Sequence, residues 1–165
     1  MADRLLLCTD LDRTLLPNGP QPESGDARLR FRQLVEHDAV VLVYVTGRDQ
    51  VLVENAIDEY SLPQPDYVIA NVGSTIYQLE HDHWSHWQSW QQEIAPDWNG
   101  LSHDELHGLF SEIASLQLQE AAKQNDYKLS YYVPLDADEK AVIASMQSIL
   151  DMHQVRASLI WSIDE

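Results

Sequence analysis

The segment LLLCTDLDRT, residues 5–14, is an apolar run that changes abruptly into two carboxylates, Asp10 and Asp12. The run is too short for a helix and is bounded by a polar turn, which predicts a strand buried on both faces of a parallel sheet. Its carboxyl end is the edge where open α/β sheets bind ligands, and strand alternation places both carboxylates on the same side. Two carboxylates so close repel each other unless a cation lies between them. We therefore expect Asp10 and Asp12 to be ligands of Mg²⁺, a hard ion that prefers oxygen.

A second strand is predicted at residues 40–45, where VVLVYV is a continuous β-branched run. It ends abruptly at Thr46, Gly47 and Arg48. A threonine hydroxyl at this position can donate to a phosphoryl oxygen, and a glycine lets backbone N–H groups approach it closely. The alternative is an ordinary strand-to-helix turn in which Asp49 is the helix N-cap.

The alternation of strands and helices predicts the fold class. Residues 67–70, YVIA, read as a third short buried strand, and helices are expected at about 26–36 and 50–60. A βαβαβ order predicts a right-handed parallel sheet with its three polar turns at one edge. We therefore expect an α/β protein whose core, residues 1–78, is a Rossmann-like parallel sheet. The proline-rich residues 15–25 should form a loop over the active-site edge.

The second half of the chain changes in character. Residues 102–124 and 136–153 have the apolar periodicity of amphipathic helices, whereas residues 127–133 and 155–163 read as strands. Two helix–strand units of this kind predict a separate α+β domain at residues 79–165, folded as a cap over the core. Three tryptophans that recur every three residues are expected to pack in a core, with stacking on a sugar as the alternative: Trp84, Trp87 and Trp90.

Residues 10–15, Asp-Leu-Asp-Arg-Thr-Leu, resemble the first motif of the haloacid dehalogenase-like (HAD) superfamily of aspartyl phosphotransferases. The resemblance implies that Asp10 is the nucleophile that forms an aspartyl-phosphate, and that Asp12 is the general acid/base. Residues 45–48, Val-Thr-Gly-Arg, are similar to the second motif, in which the threonine binds the transferring phosphoryl group. The arginine follows the glycine as it does in subfamily IIB, whose cap is inserted after the third strand. The implied phosphate-binding residues are Thr46, Gly47 and Arg48.

The third polar turn narrows the resemblance to the sucrose-phosphate phosphatase-like branch. Asn-Val-Gly-Ser at residues 71–74 resembles the corresponding loop of that branch, with Thr75 at a position where the branch commonly carries an acidic residue. The stretch KLSYY, residues 128–132, is similar to the cap strand that holds the sugar there. The resemblance therefore implies a small sugar phosphate as substrate. The implied substrate-binding residues are Asn71, Gly73, Ser74 and Lys128.

Phosphoryl transfer of this type also needs a cation against the developing charge and further carboxylates on Mg²⁺. In the resembled family a lysine and an acidic pair follow the cap, whereas here Asp164 and Glu165 alone could mimic that pair. We therefore expect either a sugar-phosphate phosphatase or a truncated, catalytically weak fragment that only binds substrate. A phosphoacceptor signalling domain is the third hypothesis, but in receivers the phosphorylated aspartate follows a later strand.

The composition limits which partners and which cellular location we expect for the protein. The 27 acidic and 10 basic residues give a formal net charge of -17, which disfavours nucleic-acid binding. No stretch resembles a signal peptide or a membrane anchor, and a single cysteine, Cys8, fits the cytoplasm. An exposed apolar sheet edge would favour self-association. Five histidines could be drawn as a zinc site, but no cysteine or zinc motif accompanies them: His81, His83, His86, His103 and His107.

Overall fold

A five-stranded sheet organises the first half of the chain. The structure, a computed structural model, describes residues 4–17, 24–81 and 83–163. The chain divides into two compact units, Met1–Trp90 and Gln91–Glu165. In the first unit the strands lie in the order β1-β2-β3-β4-β5, with the bounds Leu5–Asp10, Val40–Val45, Tyr67–Ala70, Thr75–Glu80 and His83–His86.

The first three strands are parallel and are joined by helices, which confirms the predicted α/β alternation. Helix α1 spans Ala27–Val35 and helix α2 spans Gln50–Tyr60. Asp49 caps α2, because its carboxylate accepts a hydrogen bond from the backbone N–H of Leu52 at 2.9 Å. Strand β2 lies between β1 and β3, and its Tyr44 is completely buried in the core.

Strand β1 differs from its prediction, because it is an edge strand and is not buried on both faces. Its neighbour is β2, and no strand in the described parts of the chain pairs with its other side. Leu5 and Leu6 consequently keep 52% and 63% of their surface exposed. Leu11, directly after the strand, is fully buried. The exposed leucines are the physical basis of the predicted self-association, which stays a prediction.

The antiparallel hairpin of β4 and β5 extends the sheet beyond the predicted core. Tyr77 of β4 packs edge-to-face against Trp84 of β5, with ring centroids 5.4 Å apart, so this tryptophan packs against the core. Strand β4 also pairs with β3 along its length. The compact units divide after Trp90, because the hairpin belongs to the sheet of the first unit. The domains predicted at residues 1–78 and 79–165 stay a prediction.

The second unit is built on short helices and a two-stranded sheet. Helix α3, Gln88–Ile94, contains the boundary, and α4 and α5 span His103–Leu109 and Glu139–Met152. Strands β6, Gln117–Leu118, and β7, Tyr131–Tyr132, pair in antiparallel fashion. Helix α5 confirms the helix predicted at residues 136–153. The unit has a core of its own, formed by Trp98, Leu106, Phe110, Leu150 and Val155.

The helix predicted at residues 102–124 is much shorter than expected. Ser102 and Glu105 form a capping box at the start of α4, as the sequence pattern suggests. The helix then ends at Leu109, directly after Gly108. The N–H groups that follow bond to carbonyls three residues back, which is the geometry of tight turns.

In the described residues no helix, α5 included, combines the length and apolar character needed to cross a bilayer.

Only β7 forms within the strand predicted at residues 127–133. The side-chain amide of Gln124 accepts from the N–H of Ser130 at 2.8 Å and donates to its carbonyl at 2.9 Å. The N–H of Ser130 is therefore not available to a neighbouring strand, although its carbonyl also accepts the backbone N–H of Gln119 at 2.9 Å.

The strand predicted at residues 155–163 is wrong, because this segment has no regular secondary structure. The N–H of Val155 bonds to the carbonyl of Leu150 at 2.9 Å, which closes the end of α5. The N–H of Arg156 bonds to the carbonyl of Asp97 at 2.7 Å. The first backbone donors of the segment therefore serve a helix end and a turn, and no ladder begins.

Candidate active site

The polar turns after β1, β2 and β3 meet at one edge of the sheet, as predicted. In the parallel register Asp10 pairs with Val45, and Val45 pairs with Ile69. The N–H of Thr46 continues this pattern, because it bonds to the carbonyl of Ile69 at 2.9 Å. The three strands end level, so the residues that follow them are neighbours.

Asp10 is the last residue of β1 and is exposed to solvent. The hydroxyl of Thr14 donates to Asp10 Oδ2 at 3.4 Å. The carbonyl of Leu11 accepts hydrogen bonds from the N–H groups of Thr14, Leu15 and Leu16, which closes a tight turn after the strand. Because Leu11 is buried, this turn is anchored in the core. The arrangement presents an accessible carboxylate on a rigid support, as a nucleophile requires.

Asp12 and Arg48 form a two-point ion pair that joins the first two turns. Arg48 Nε donates to Asp12 Oδ2 at 2.9 Å, and Arg48 Nη2 donates to Asp12 Oδ1 at 2.7 Å. The remaining nitrogen, Nη1, donates to the carbonyl of Leu52 in α2 at 3.3 Å. The hydrogen bond with Asp12 raises the pKa of Arg48 above its ordinary value, although partial burial opposes the shift. Each nitrogen of the guanidinium thus has a protein partner here, and the phosphate-binding role of Arg48 stays a prediction.

Thr46 and Gly47 form the turn between β2 and α2. Thr46 is buried, and its hydroxyl oxygen accepts the backbone N–H of Arg48 at 3.2 Å. This bond leaves the hydroxyl hydrogen available as a donor to an incoming phosphoryl oxygen. Gly47 is exposed, and a methyl group at its position would meet Val72 at 3.8 Å, an ordinary contact. The turn is therefore open to a ligand on the Gly47 side.

The turn after β3 carries three of the predicted substrate-binding residues, Asn71, Gly73 and Ser74. The N–H of Asn71 donates to the carbonyl of Arg48 at 2.9 Å, which ties this turn to the one after β2. The indole N–H of Trp90 donates to the carbonyl of Gly73 at 2.9 Å. The sequence pattern indicated core packing for this tryptophan, with stacking on a sugar as the alternative, and did not predict the bond to the carbonyl of Gly73.

The remaining residues of the prediction belong to the second unit or fall outside the described residues. Lys128 belongs to the second unit, where its backbone N–H and carbonyl pair with the carbonyl and N–H of Asn125, both at 3.2 Å. Residues 18–23 of the predicted active-site loop lie outside the described residues, as do Asp164 and Glu165.

A protein-family model described as sucrose-6F-phosphate phosphohydrolase matches residues 3–165. The chain belongs to this family. Membership of the sucrose-6F-phosphate phosphohydrolase family confirms the resemblance to the HAD superfamily and to its sucrose-phosphate phosphatase-like branch.

Individual relatives agree with the family. A HAD-like hydrolase from Nitrosococcus oceani is 48% identical over 165 residues, which are 100% of this chain and 44% of the relative. A mannosylfructose-phosphate phosphatase from Agrobacterium fabrum is 28% identical over 166 residues, covering 96% of this chain and 60% of the relative. The sucrose-phosphatase of Synechocystis, solved with sucrose and phosphate, matches with a TM-score of 0.70 at 24% identity, over 91% of this chain and 57% of that one. This structural match confirms the fold. The chain spans less than two thirds of the length of each relative.

The carboxylates at this edge of the sheet are oxygen donors, the ligand type that Mg²⁺ prefers. Asp10 offers an exposed carboxylate, whereas the carboxylate oxygens of Asp12 lie within hydrogen-bond distance of Arg48. Within the described ranges no group of three or more His, Cys, Asp or Glu residues could hold a metal ion. Mg²⁺ is commonly held by one or two carboxylates together with several waters, whereas structural zinc takes four protein ligands.

Proposed function

We propose that this chain carries the nucleophile and the phosphate-binding turn of a Mg²⁺-dependent phosphatase that hydrolyses a small sugar phosphate. The family description supports a sucrose phosphate as the substrate. The name of the Agrobacterium fabrum relative supports the same class, because mannosylfructose phosphate is also the phosphate of a disaccharide. Sucrose 6F-phosphate is therefore the first substrate to test.

The observation that carries the proposal is the arrangement of Asp10, Asp12 and Thr46 at the level ends of β1 and β2. An exposed carboxylate, a second carboxylate on the same turn and a threonine hydroxyl on the next turn are the groups that a phosphoryl transfer through an aspartate requires. The ion pair of Asp12 with Arg48 holds the first two turns together.

The proposed reaction has two steps. A carboxylate oxygen of Asp10 attacks phosphorus, the bond between phosphorus and the sugar oxygen breaks, and Asp12 supplies the proton that the leaving sugar needs. Water then attacks the aspartyl-phosphate, Asp12 accepts its proton, and release of phosphate restores Asp10. A bound Mg²⁺ would offset the charge on the phosphoryl oxygens. Thr46 donates to one of these oxygens throughout.

A weakly active or substrate-binding form of the same site is the second candidate. The three lysines of the chain lie at positions 123, 128 and 140, all in the second unit, so the first unit contains none. Its Arg48 is paired with Asp12. With a formal net charge of -17, the chain also repels an anionic substrate. These features favour slow turnover.

A panel of phosphate esters tests the proposal. Phosphate release is measured with Mg²⁺ from sucrose 6F-phosphate, other sugar phosphates and a nucleotide, for the wild type and for Asp10→Asn. Asp58→Asn, an exposed aspartate on α2, is the matched control. Release from sugar phosphates that Asp10→Asn abolishes and Asp58→Asn preserves supports a phosphatase. Binding of the esters without release supports the second candidate, and release that Asp10→Asn leaves intact contradicts the nucleophile.

A further inference from the structure

The turn after β3 holds three consecutive residues in the left-handed region of backbone conformation. The φ angle is 53° at Asn71, 58° at Val72 and 88° at Gly73. Glycine adopts such angles freely and asparagine tolerates them, but a β-branched residue rarely does. Val72 is therefore strained, and strain of this kind persists only where the surrounding structure holds the backbone in place.

Hydrogen bonds hold this turn from two sides. The N–H of Asn71 donates to the carbonyl of Arg48 at 2.9 Å, and the N–H of Val72 donates to the carbonyl of Thr46 at 3.2 Å. Both acceptor carbonyls belong to the turn between β2 and α2, the proposed phosphate-binding turn. On the other side the indole Nε1–H of Trp90 donates to the carbonyl of Gly73 at 2.9 Å. Together with the backbone N–H of Ser74, which donates to the carbonyl of Asn71 at 3.2 Å, this side-chain bond holds the far end of the strained turn.

Trp90 is itself fixed by the sheet of the first unit. Its backbone N–H bonds to the carbonyl of Trp87 at 3.0 Å, and the N–H of Trp87 bonds to the carbonyl of Ile76 in β4 at 2.9 Å. The ring of Trp87 packs against Tyr67 of β3, with centroids 5.8 Å apart. The indole donor therefore has a rigid support on the same sheet that carries the substrate turn.

We propose that Trp90 is a positioning residue that holds the strained turn at residues 71–73 against the phosphate-binding turn. By doing so it places the polar groups of Asn71, Gly73 and Ser74 where a sugar phosphate would meet them. The link to the sugar rests on the proposed function, but the hydrogen bond and the strain exist without substrate.

Hydrogen exchange of the backbone amides tests the proposal without substrate. The exchange of the Asn71 and Val72 amides is measured by NMR in the wild type, Trp90→Phe, Trp87→Phe and Val72→Gly. Trp90→Phe keeps an aromatic ring but removes the N–H donor. Trp87→Phe is the matched control, because it keeps the backbone bonds of residue 87 and an aromatic ring beside Tyr67, so the support of Trp90 and its indole donor remain. Val72→Gly removes the strain and leaves the donor in place.

Loss of one hydrogen bond should lower the protection of both amides about 10-fold in Trp90→Phe. Trp87→Phe should change it less than about 3-fold. Val72→Gly should raise the protection at residues 71 and 72, and Trp90→Phe combined with Val72→Gly should return it to about the wild-type value, because the two changes act in opposite directions on the same turn. Unchanged protection in Trp90→Phe, or an equal loss in Trp87→Phe, overturns the proposal. If Trp90→Phe does not fold, a Val72→Gly variant with unchanged or lower protection overturns it.

The consequence for the substrate is measured separately. In the Asp10→Asn background, Trp90→Phe should weaken the binding of sucrose 6F-phosphate about 10-fold and leave the binding of inorganic phosphate within about 3-fold, as expected for loss of one positioned contact. Equal losses for both ligands overturn the assignment of Trp90 to the sugar side. If neither ligand binds to any variant, the proposed function fails, and hydrogen exchange alone decides whether Trp90 holds the turn.

Discussion

Removing the charge of Arg48 by Arg48→Met should destabilise the first unit through Asp12. The guanidinium makes two hydrogen bonds to the Asp12 carboxylate, at 2.9 and 2.7 Å. Without them the Asp12 carboxylate loses both hydrogen bonds to the guanidinium and the positive charge that offsets its own. The loss in free energy of unfolding caused by Arg48→Met should therefore depend on the charge at position 12.

The exposure of the two side chains sets the size of this effect. The side chains of Arg48 and Asp12 keep 27% and 37% of their surface exposed, so the pair is neither fully solvated nor buried. Exposed ion pairs contribute at most about 1 kcal/mol, whereas breaking a buried pair costs about 3–5 kcal/mol. We therefore expect a coupling free energy of about 2 kcal/mol, between these limits.

A double-mutant cycle measures this coupling. The free energy of unfolding by urea is determined for the wild type, Arg48→Met, Asp12→Asn and the double variant. Arg32→Met is the matched control, because Arg32 Nη2 donates to a backbone carbonyl, that of Ser61, at 2.7 Å. The loss in free energy of unfolding caused by Arg32→Met should be additive with the loss caused by Asp12→Asn. A coupling below about 0.5 kcal/mol between positions 12 and 48 would refute the ion pair as a stabilising link.

The same four proteins decide whether Arg48 also binds phosphate. If the guanidinium acts only on Asp12, Arg48→Met should change the affinity for inorganic phosphate less than about 2-fold in the Asp12→Asn background, because no shared partner remains. If Arg48 binds phosphate directly, the affinity should fall at least about 10-fold in that background, the loss of one charged hydrogen bond. Calorimetric titration with phosphate separates the two outcomes.

Three further changes have defined outcomes. Thr46→Val, which keeps the shape but removes the hydroxyl, should lower turnover by about 10²-fold. It should also lower thermal stability, because the backbone N–H of Arg48 loses its acceptor. A variant within about 3-fold of the wild type in a phosphate-release assay would exclude Thr46 as a phosphoryl ligand. Burial raises the pKa of Tyr131 to about 12 from its ordinary value of 10.0, so the folded state binds the proton more tightly and the free energy of unfolding should fall as the pH rises from about 10 to 12. In Tyr131→Phe the free energy of unfolding by urea should depend less on pH over this range. An unchanged pH dependence would contradict the raised pKa of Tyr131. Mg²⁺ should bind with a dissociation constant above about 10 μM, because the site offers few carboxylates. Micromolar or tighter binding in a calorimetric titration, or binding that is unchanged in Asp10→Asn, would show that other ligands hold the ion.

The sheet edge and its carboxylates were predictable because local and tertiary signals agree there. The run at residues 40–45 is continuous and β-branched, and it is the central buried strand of the parallel part of the sheet. The polar turns directly after the strands could be placed at one edge from topology alone. The ion pair between Asp12 and Arg48 could not, because it depends on side-chain directions in two turns that lie far apart in the sequence.

The second unit was harder to predict because its helices and strands are short, and because side chains compete with the backbone for hydrogen bonds there. The side chain of Gln124 accepts the N–H of Ser130, so this N–H cannot join the ladder that the alternating pattern of residues 127–133 favours. The carbonyl of Asp97 accepts a hydrogen bond from the N–H of Arg156, near the start of a segment with strand-like composition. Side-chain and turn contacts of this kind leave no periodic signal in the sequence.

The most direct test of the central claim is to trap the phosphorylated protein. The chain is mixed with sucrose 6F-phosphate and Mg²⁺, quenched in acid within the first turnover, digested and analysed by mass spectrometry. The proposed mechanism predicts one added phosphoryl group on the peptide that contains Asp10, and no such group in Asp10→Asn. A phosphoryl group on another residue, or phosphate release without any modified peptide at any quench time, would contradict the claim that Asp10 is the nucleophile.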